Sequence, residues 1–452
     1  MKDKNVMLEE TIVKLAEAKK YASLRDFLAT LNAADIAEAF GRLSDQALPL
    51  VFRLLPKELA AEVFVEMEAE QQETLIRGFS DVELRAVVEE LYVDDAVDLV
   101  EEMPANVVSR ILSQADPDTR KMINEILQYP DDSAGSEMTT EFVELQPYMT
   151  AAQCIAHIRR VGIDKETINT CYITGVGHHL QGVVSIRSLI LAADDTPCGD
   201  LMTPSVVSVG TLEDKETVAQ MFSKYAFNAL PVVDKDGRLV GIVTMDDAID
   251  IMEEETTEDM EKMAAIVPSD RPYLQTGVVT IWKNRIPWLL ILMLAATFTG
   301  WVIRGFENEL LACSVLIAYI PMLMDAGGNS GSQTSVTIIR GLSLQELEFG
   351  DLGQVLWKEL RVSVLCGLTL AAVNFAKLML LDRLPLVVSA VVCLTLFCTV
   401  ILAKLIGSAF PMLAQKLGFD PALMASPIIT TLVDAASLTV LFTIATRVLH
   451  IG

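Results

Sequence analysis

Apolar positions change their spacing along this chain, and each change predicts a different architecture. Over residues 1–130, "DIAEAFGRL", "ELAAEVFVEM", "ELRAVVEEL" and "DAVDLVEEM" place apolar side chains three and four apart, the period of helices with one buried stripe. "LLPKE", "EMPAN" and "ADPDT" break the pattern with proline or turn residues. The expectation is an all-α domain of stacked helical hairpins forming a superhelix, with nothing catalytic in it. Over 131–250 the period shortens: "EFVELQPYMT", "HLQGVVSIRSLI", "SVVSVGT" and "RLVGIVTMDDAI" alternate as half-buried strands do. Two halves repeat. Met138-Thr139 is echoed by Met202-Thr203-Pro204, and Gly182-Val183-Val184-Ser185 by Gly241-Ile242-Val243-Thr244. Repeats of strand–helix–strand–strand–helix at this length bury their sheets only against each other.

From Ile286 the pattern becomes continuously apolar. "IPWLLILMLAATFTGWVI" is long enough to cross a bilayer core of roughly 30 Å. Further spans are predicted near Leu310–Ile339, Val355–Leu381, Leu384–Leu405 and Pro427–Val448, which makes five. The predicted organisation is a helical N domain (1–130), an α/β repeat pair (131–250), an acidic connecting helix (251–275) and a five-helix transmembrane domain (276–452). "MKDKNVMLEE" carries no apolar run that would act as a signal peptide, so the N-terminal domains are expected in the cytoplasm. An odd number of spans then puts the C-terminus outside. Lys283, Arg285, Arg340, Lys358, Arg361 and Lys416 flank the inner side, against Arg304, Arg383 and Arg447 on the outer, so the positive-inside bias is mild.

Charge narrows the partners. With 35 basic and 61 acidic side chains the formal charge is −26, which disfavours nucleic acid and suits a cation. The stretch 246–261, "DDAIDIMEEETTEDME", holds Asp246, Asp247, Asp250, Glu253, Glu254, Glu255, Glu258, Asp259 and Glu261 with no basic residue to offset them. Two carboxylates roughly 7 Å apart repel by about 2 kcal/mol at an effective dielectric near 20, so such a helix is costly to bring against other acidic surface. Seven cysteines without a CxxC pair and only four histidines point away from a disulfide framework or a zinc site.

Two polar features interrupt the apolar spans. "YIPMLMDAGGNSGSQTSVTIIRGL" brings Pro321, Gly327, Gly328, Gly331, Asn329 and Gln333 to membrane depth. The expectation is a break that turns backbone groups and the two amides toward a wet cavity; small residues alone would serve a packing seam. The second feature is Asp434 in "SPIITTLVDAASLTVLF", a carboxylate too costly at that depth without an ion, a dipole or water. A twofold dimer would set two such carboxylates on one axis, matching a divalent cation. Hard oxygen ligands favour a hydrated ion such as Mg²⁺ over Zn²⁺ or Cu⁺, and Mn²⁺, Co²⁺ and Ca²⁺ remain open on this chemistry.

Resemblance extends the reading. "LMTPSVVSV…NALPVVDKDGRLVGIVTMDDAID" resembles a CBS domain and the preceding half does so more loosely. Nearly the whole chain, through "YIPMLMDAGGNSGSQ", "LGFDPALMASPIITTLVD" and "TTEDMEKM", resembles the MgtE-type magnesium channels. The resemblance implies a homodimeric, Mg²⁺-selective channel in the cell (inner) membrane, its pore lined by the second and fifth spans, Thr430 included. It assigns the pore ion to Asp434 and the cytoplasmic mouth to Asp420, and makes the connecting helix a plug closed by cytoplasmic Mg²⁺. Mapped by motif, the sensing acids are Asp94, Asp95 and Asp98 in "YVDDAVDLV", with Glu58, and their partners are Glu216, Asp247, Asp250, Glu255, Glu258 and Asp259. Ala226 in "KYAFNALP" and Ser188 in "SIRSLI" stand where the family often has an acid. ATP at the CBS pair is a further implication, with Tyr172 in "NTCYITG" the aromatic candidate. Competing readings are a carrier or broader channel for Co²⁺ or Mn²⁺, and a CBS-regulated sensor that conducts nothing. No nucleophile–base arrangement points to an enzyme.

Overall fold

A computed structural model describes residues 2–450 apart from 270–272, 275, 307–312 and 425. The chain divides into two compact units, Met1–Ile251 and Met252–Gly452.

The first unit opens with ten helices among the described residues: α1 (Lys2–Glu17), α2 (Tyr21–Leu28), α3 (Ala33–Phe40), α4 (Leu48–Phe52), α5 (Lys57–Val65), α6 (Ala69–Gly78), α7 (Asp81–Val88), α8 (Val93–Glu102), α9 (Ala105–Gln114) and α10 (Pro117–Ile126). Each short helix buries a stripe, for example Ile36 and Phe40 on α3 or Val93, Val97 and Val100 on α8. Helices pack on the helix two along, α1 on α3, α3 on α5, α5 on α7, α7 on α9 and α8 on α10, which is how a superhelix grows. Starts are fixed locally. Ser80 and Glu83 form a capping box on α7, and Asp116 caps α10.

Two similar halves follow. The first has β1 (Glu144–Leu145), α11 (Ala151–Val161), β2 (Thr170–Thr174), β3 (Leu180–Ser185), α12 (Ile186–Leu191) and α13 (Cys198–Leu201). The second has β4 (Val209–Gly210), α14 (Lys215–Tyr225), β5 (Ala229–Val233) and β6 (Leu239–Thr244), and leads into α15 (Met245–Met263). In each half a two-residue parallel strand joins an antiparallel pair, β1-β2-β3 and β4-β5-β6. The alternation expected over "EFVELQPYMT" and "SVVSVGT" thus yields only two paired residues apiece; each segment lies at a sheet edge, and Pro147 ends the first by lacking a donor. The Met-Thr motifs exchange partners between halves. Thr139 bridges Ile242 and Thr203 bridges Val183. A Cβ on Gly241 would come within 2.8 Å of Met138 Cγ, and one on Gly182 within 2.7 Å of Met202 Sδ, so these glycines leave the room each methionine fills.

The connecting helix takes in the whole acidic run from Asp246 and differs from expectation at its C-terminal end. It starts at Met245, directly after β6, and stops at Met263 rather than near 275. Ala265 turns the chain with φ 56° and Pro268 follows, which ends a helix.

Among the described residues the second unit holds five long helices: α16 (Val278–Gly305), α17 (Ile320–Ser343), α18 (Leu352–Leu380), α19 (Leu386–Lys416) and α20 (Ser426–Leu449). Among the described residues, four helices have the length and apolarity of a membrane span, α16, α18, α19 and α20. The 24 residues of α17 cover about 36 Å at 1.5 Å each, and only their polarity sets the helix apart. The beginning expected for its span, at Leu310, lies outside the described residues. Helix α19 is central, packing on α17, α18 and α20, with α16 against α20.

Helix α17 corrects the expected break. It is continuous, because Pro321 sits in its first turn where no intrahelical donor is needed. Its glycines serve packing. A Cβ on Gly327 would lie 2.8 Å from Thr399 and Val433, one on Gly328 2.9 Å from Thr430, and one on Gly331 2.8 Å from Ile429. The small-residue seam and the polar amides therefore coexist on different faces of one helix.

Candidate functional site

On α17 the glycine face is buried, while Asp325, Asn329 and Gln333 recur every four residues on an exposed face. Opposite Gly328 stands Thr430 of α20, and one turn on is Asp434. Asp434 is half-buried, its Oδ1 has no hydrogen-bond partner, and Asp325 is the charge that acts on it. Asp325, given no site role from sequence, thus joins Asp434, Asn329 and Gln333. An unmet carboxylate oxygen on α20 facing the polar side of α17 suits a hydrated cation or water.

At the end of α15, Met263 packs with Ile339 of α17 and Ala422. Asp420 lies in this region, its Oδ1 accepting from the Ala422 amide at 2.8 Å and its Oδ2 from Lys262 at 2.8 Å. The same ammonium reaches Glu258 Oε1 at 2.7 Å. Burial works against the Lys262 charge, but the two carboxylates overcome it and hold its pKa above the usual range. Asp259 is pushed up by burial and by Asp420, with Lys262 and Arg340 opposing. The acidic helix is therefore not uncompensated as expected: Lys262, one residue past the run of nine acids, balances its lower end.

The first unit gathers a second acidic group. Asp94, Asp95 and Asp98 on α8 face Asp246 and Asp247 at the start of α15, together with Glu137, Glu141 and Glu166. Asp94 is buried, and desolvation, then Asp247, hold its carboxyl well above the ordinary range. Burial and the same neighbours push Asp95 up to about 7, Asp98 to about 8 and Glu166 to about 8. Asp247 is also raised by burial, although its Oδ2 accepts the Thr244 amide at 3.2 Å and hydroxyl at 2.6 Å. Glu141 Oε2 accepts the Val93 amide at 3.0 Å, tying α8 to the CBS halves. Lys215 comes within 3.8 Å of Glu137. Glu137, Glu141 and Glu166 were missed in sequence because they lie in loops between elements, where no periodicity marks them.

Other expected residues fall elsewhere. Glu58 is exposed on α5 with no hydrogen bond or ion pair among the described residues. Glu216 sits in the first turn of α14, accepting from Gln220 at 3.1 Å. Asp250 is exposed and Glu255 half-buried along α15. Ala226 ends α14 at φ 51°, a conformation aspartate tolerates better than alanine. Tyr172 is fully buried and packs edge-on against Phe142 at 5.8 Å, so it presents no open aromatic face. Among the described residues no three His, Cys, Asp or Glu side chains converge closely enough to hold a metal ion directly.

Comparison with known proteins follows this geometry. A family model described as MgtE, divalent cation transporter, matches residues 320–444, the MgtE intracellular N domain matches 31–132, and a CBS domain matches 198–254. The magnesium transporter MgtE of Thermus thermophilus is 37% identical over 98% of this chain and 100% of its own length. That of Bacillus subtilis is 30% identical over 99% of both. Among solved structures, the cytosolic domain of the Mg²⁺ channel MgtE in complex with ATP covers 53% of this chain and 99% of its own, at 36% identity and TM-score 0.50. The soluble part of a magnesium transporter covers 56% and 99%, at 28% identity and TM-score 0.52. With the helical N domain, the paired CBS halves and the polar α17 seated among apolar spans, this chain belongs to the MgtE family.

Proposed function

We propose that this protein is a membrane transporter of Mg²⁺ that works as a channel, formed by a homodimer and closed by cytoplasmic Mg²⁺. The observation that supports it most is the unpartnered carboxylate oxygen of Asp434 beside the exposed Asp325, Asn329 and Gln333 face of α17. In a twofold assembly those faces meet, and two Asp434 side chains hold one hydrated divalent ion between them. Pro321 starts the helix that carries this face, and Gly327, Gly328 and Thr430 set its distance from α20.

In the same reading residues 1–130 and 131–250 form the sensor, 251–275 the plug and 276–452 the pore domain, with the N-terminal domains cytoplasmic and the C-terminus outside. Regulatory ions bind among Asp94, Asp95, Asp98 and Asp247 in the sensor, and among Glu258, Asp259 and Asp420 at the mouth, with Glu58, Glu216, Asp250 and Glu255 in supporting positions. Without Mg²⁺ these carboxylates repel; with it they are bridged, and α15 is held over Asp420. Moving a gate from 1:99 to 99:1 takes about 5.5 kcal/mol of differential binding, which several ions at about 1 kcal/mol each supply. ATP is a second ligand suggested by kinship with the cytosolic domain crystallised with it, and its base would need a surface other than the buried Tyr172.

The test is Mg²⁺ conductance in a reconstituted bilayer, native protein against Asp434→Asn. The native current is expected to collapse in the variant; equal currents would reject the ion path.

A further inference from the structure

Lys404 is a buried basic residue inside the helix bundle that the transport reading does not use. Its side chain is 7% exposed, and its ammonium donates to Thr334 Oγ1 at 3.1 Å. The Thr334 hydroxyl lies 3.3 Å from Glu359 Oε2 and 3.3 Å from the Ser330 carbonyl. No carboxylate stands within ion-pair distance of Lys404 among the described residues. One member of this chain of contacts comes from each of α19, α17 and α18.

Position gives the group its meaning. Thr334 is buried, while its neighbour Gln333 belongs to the exposed polar face. Lys404 follows Ala403, whose carbonyl a Cβ on Gly331 would meet at 3.2 Å, and a Cβ on Gly407 would run into the Gly331 carbonyl. The ammonium therefore enters behind α17 where the two backbones approach closely. Along α17, Thr334 lies nearly two turns beyond the level at which Gly327 packs on Val433, on the side toward Lys262 and Asp420.

A charged amine is costly at membrane depth and an apolar side chain would pack that crossing without the cost. A lone positive charge behind a cation path would also repel a divalent ion twice as strongly as a monovalent one. Glu359, linked through the Thr334 hydroxyl, supplies the opposite charge. We propose that Lys404 and Glu359, bridged by Thr334, are a charge-balanced pair of positioning residues that sets the potential along the Gln333 side of the Mg²⁺ path. This rests on the α17–α20 path proposed above.

The pair makes opposite predictions for its two members. In full-length protein reconstituted into liposomes, Glu359→Gln leaves Lys404 unbalanced, and the Mg²⁺ concentration for half-maximal uptake is expected to rise, on the order of ten-fold. Lys404→Met leaves Glu359 unbalanced and should lower it. The double variant should return near the native value. Shifts of the two single variants in the same direction, or losses that add in the double variant, would overturn the proposal and leave a packing contact only. Thermal unfolding in detergent checks that each variant folds. Should Lys404→Met fail that check, Glu359→Gln against the double variant still decides, because only a charge pair predicts recovery. Asp434→Asn runs alongside: native-like uptake in that variant points to failure of the path itself.

Discussion

Asp434 and Lys262 show how differently single residues declare themselves. A carboxylate alone in seventeen otherwise uncharged residues, 426–442, is conspicuous in sequence, and in the fold one of its oxygens has no hydrogen-bond partner. Lys262 is one basic residue after nine acids, and only its reach to both Glu258 and Asp420 gives it weight. A divalent ion bridging those acids has to displace a cation already tethered there. On the gating proposed above, Lys262→Gln is expected to raise flux at vanishing internal Mg²⁺ and to bring closure at lower Mg²⁺ than in the native protein. Patch recordings across an internal Mg²⁺ series read both, and an unchanged threshold would remove Lys262 from the gate. Lys404, in "VILAKLIG", carries the same signal as Asp434, a lone charge in an apolar run, but lies at the predicted end of a span and drew no reading from sequence. Gly407 offers a stability test. A methyl group there meets the Gly331 carbonyl, so Gly407→Ala should cost about 1–3 kcal/mol, seen as a lowered thermal midpoint in detergent.

Elements were legible where one periodicity ran long enough. The short helices of the N domain follow from apolar spacing and proline breaks, and the CBS repeat from its echoed motifs. Helix α17 is the instructive difference: glycine, proline and amides read together as broken backbone, whereas position within the helix separates their roles. The facing of α8 and α15 was accessible only by motif, because Asp94 and Asp247 are far apart in sequence and no local pattern joins them. That facing has a pH consequence. Asp95, Asp98 and Glu166 titrate near 7 to 8 in the fold and near 4 in an unfolded chain. The folded unit thus holds protons that the unfolded chain has released, so stability falls as pH climbs from about 4 through about 8. In chelator, the unfolding midpoint should be lower at pH 8.5 than at pH 6, and Mg²⁺ should recover most of the loss. A flat profile would mean these acids are solvated rather than confronted.

For the whole molecule, domain order was readable end to end, because each segment has its own composition and period. Assembly was not, since nothing in one chain's pattern says how many copies share an axis. Gating is the property that depends on all parts together. On the gating proposed above, neutralising Asp247, Asp250, Glu255, Glu258 and Asp259 in one variant is expected to leave Mg²⁺ flux running at millimolar internal Mg²⁺, where the native protein is expected to close. Normal closure of that variant would reject the acidic gate. The exposed aspartate and amides of α17 also bear on biogenesis. Asp325 stands in the second turn of α17 and Asn329 and Gln333 nearer its middle, polar groups that oppose insertion into lipid, so this segment is a poor candidate for partitioning into lipid on its own. It should enter late, sheltered by α19 and α20 once those are in place, and a chain truncated before them should leave the segment accessible to aqueous labelling.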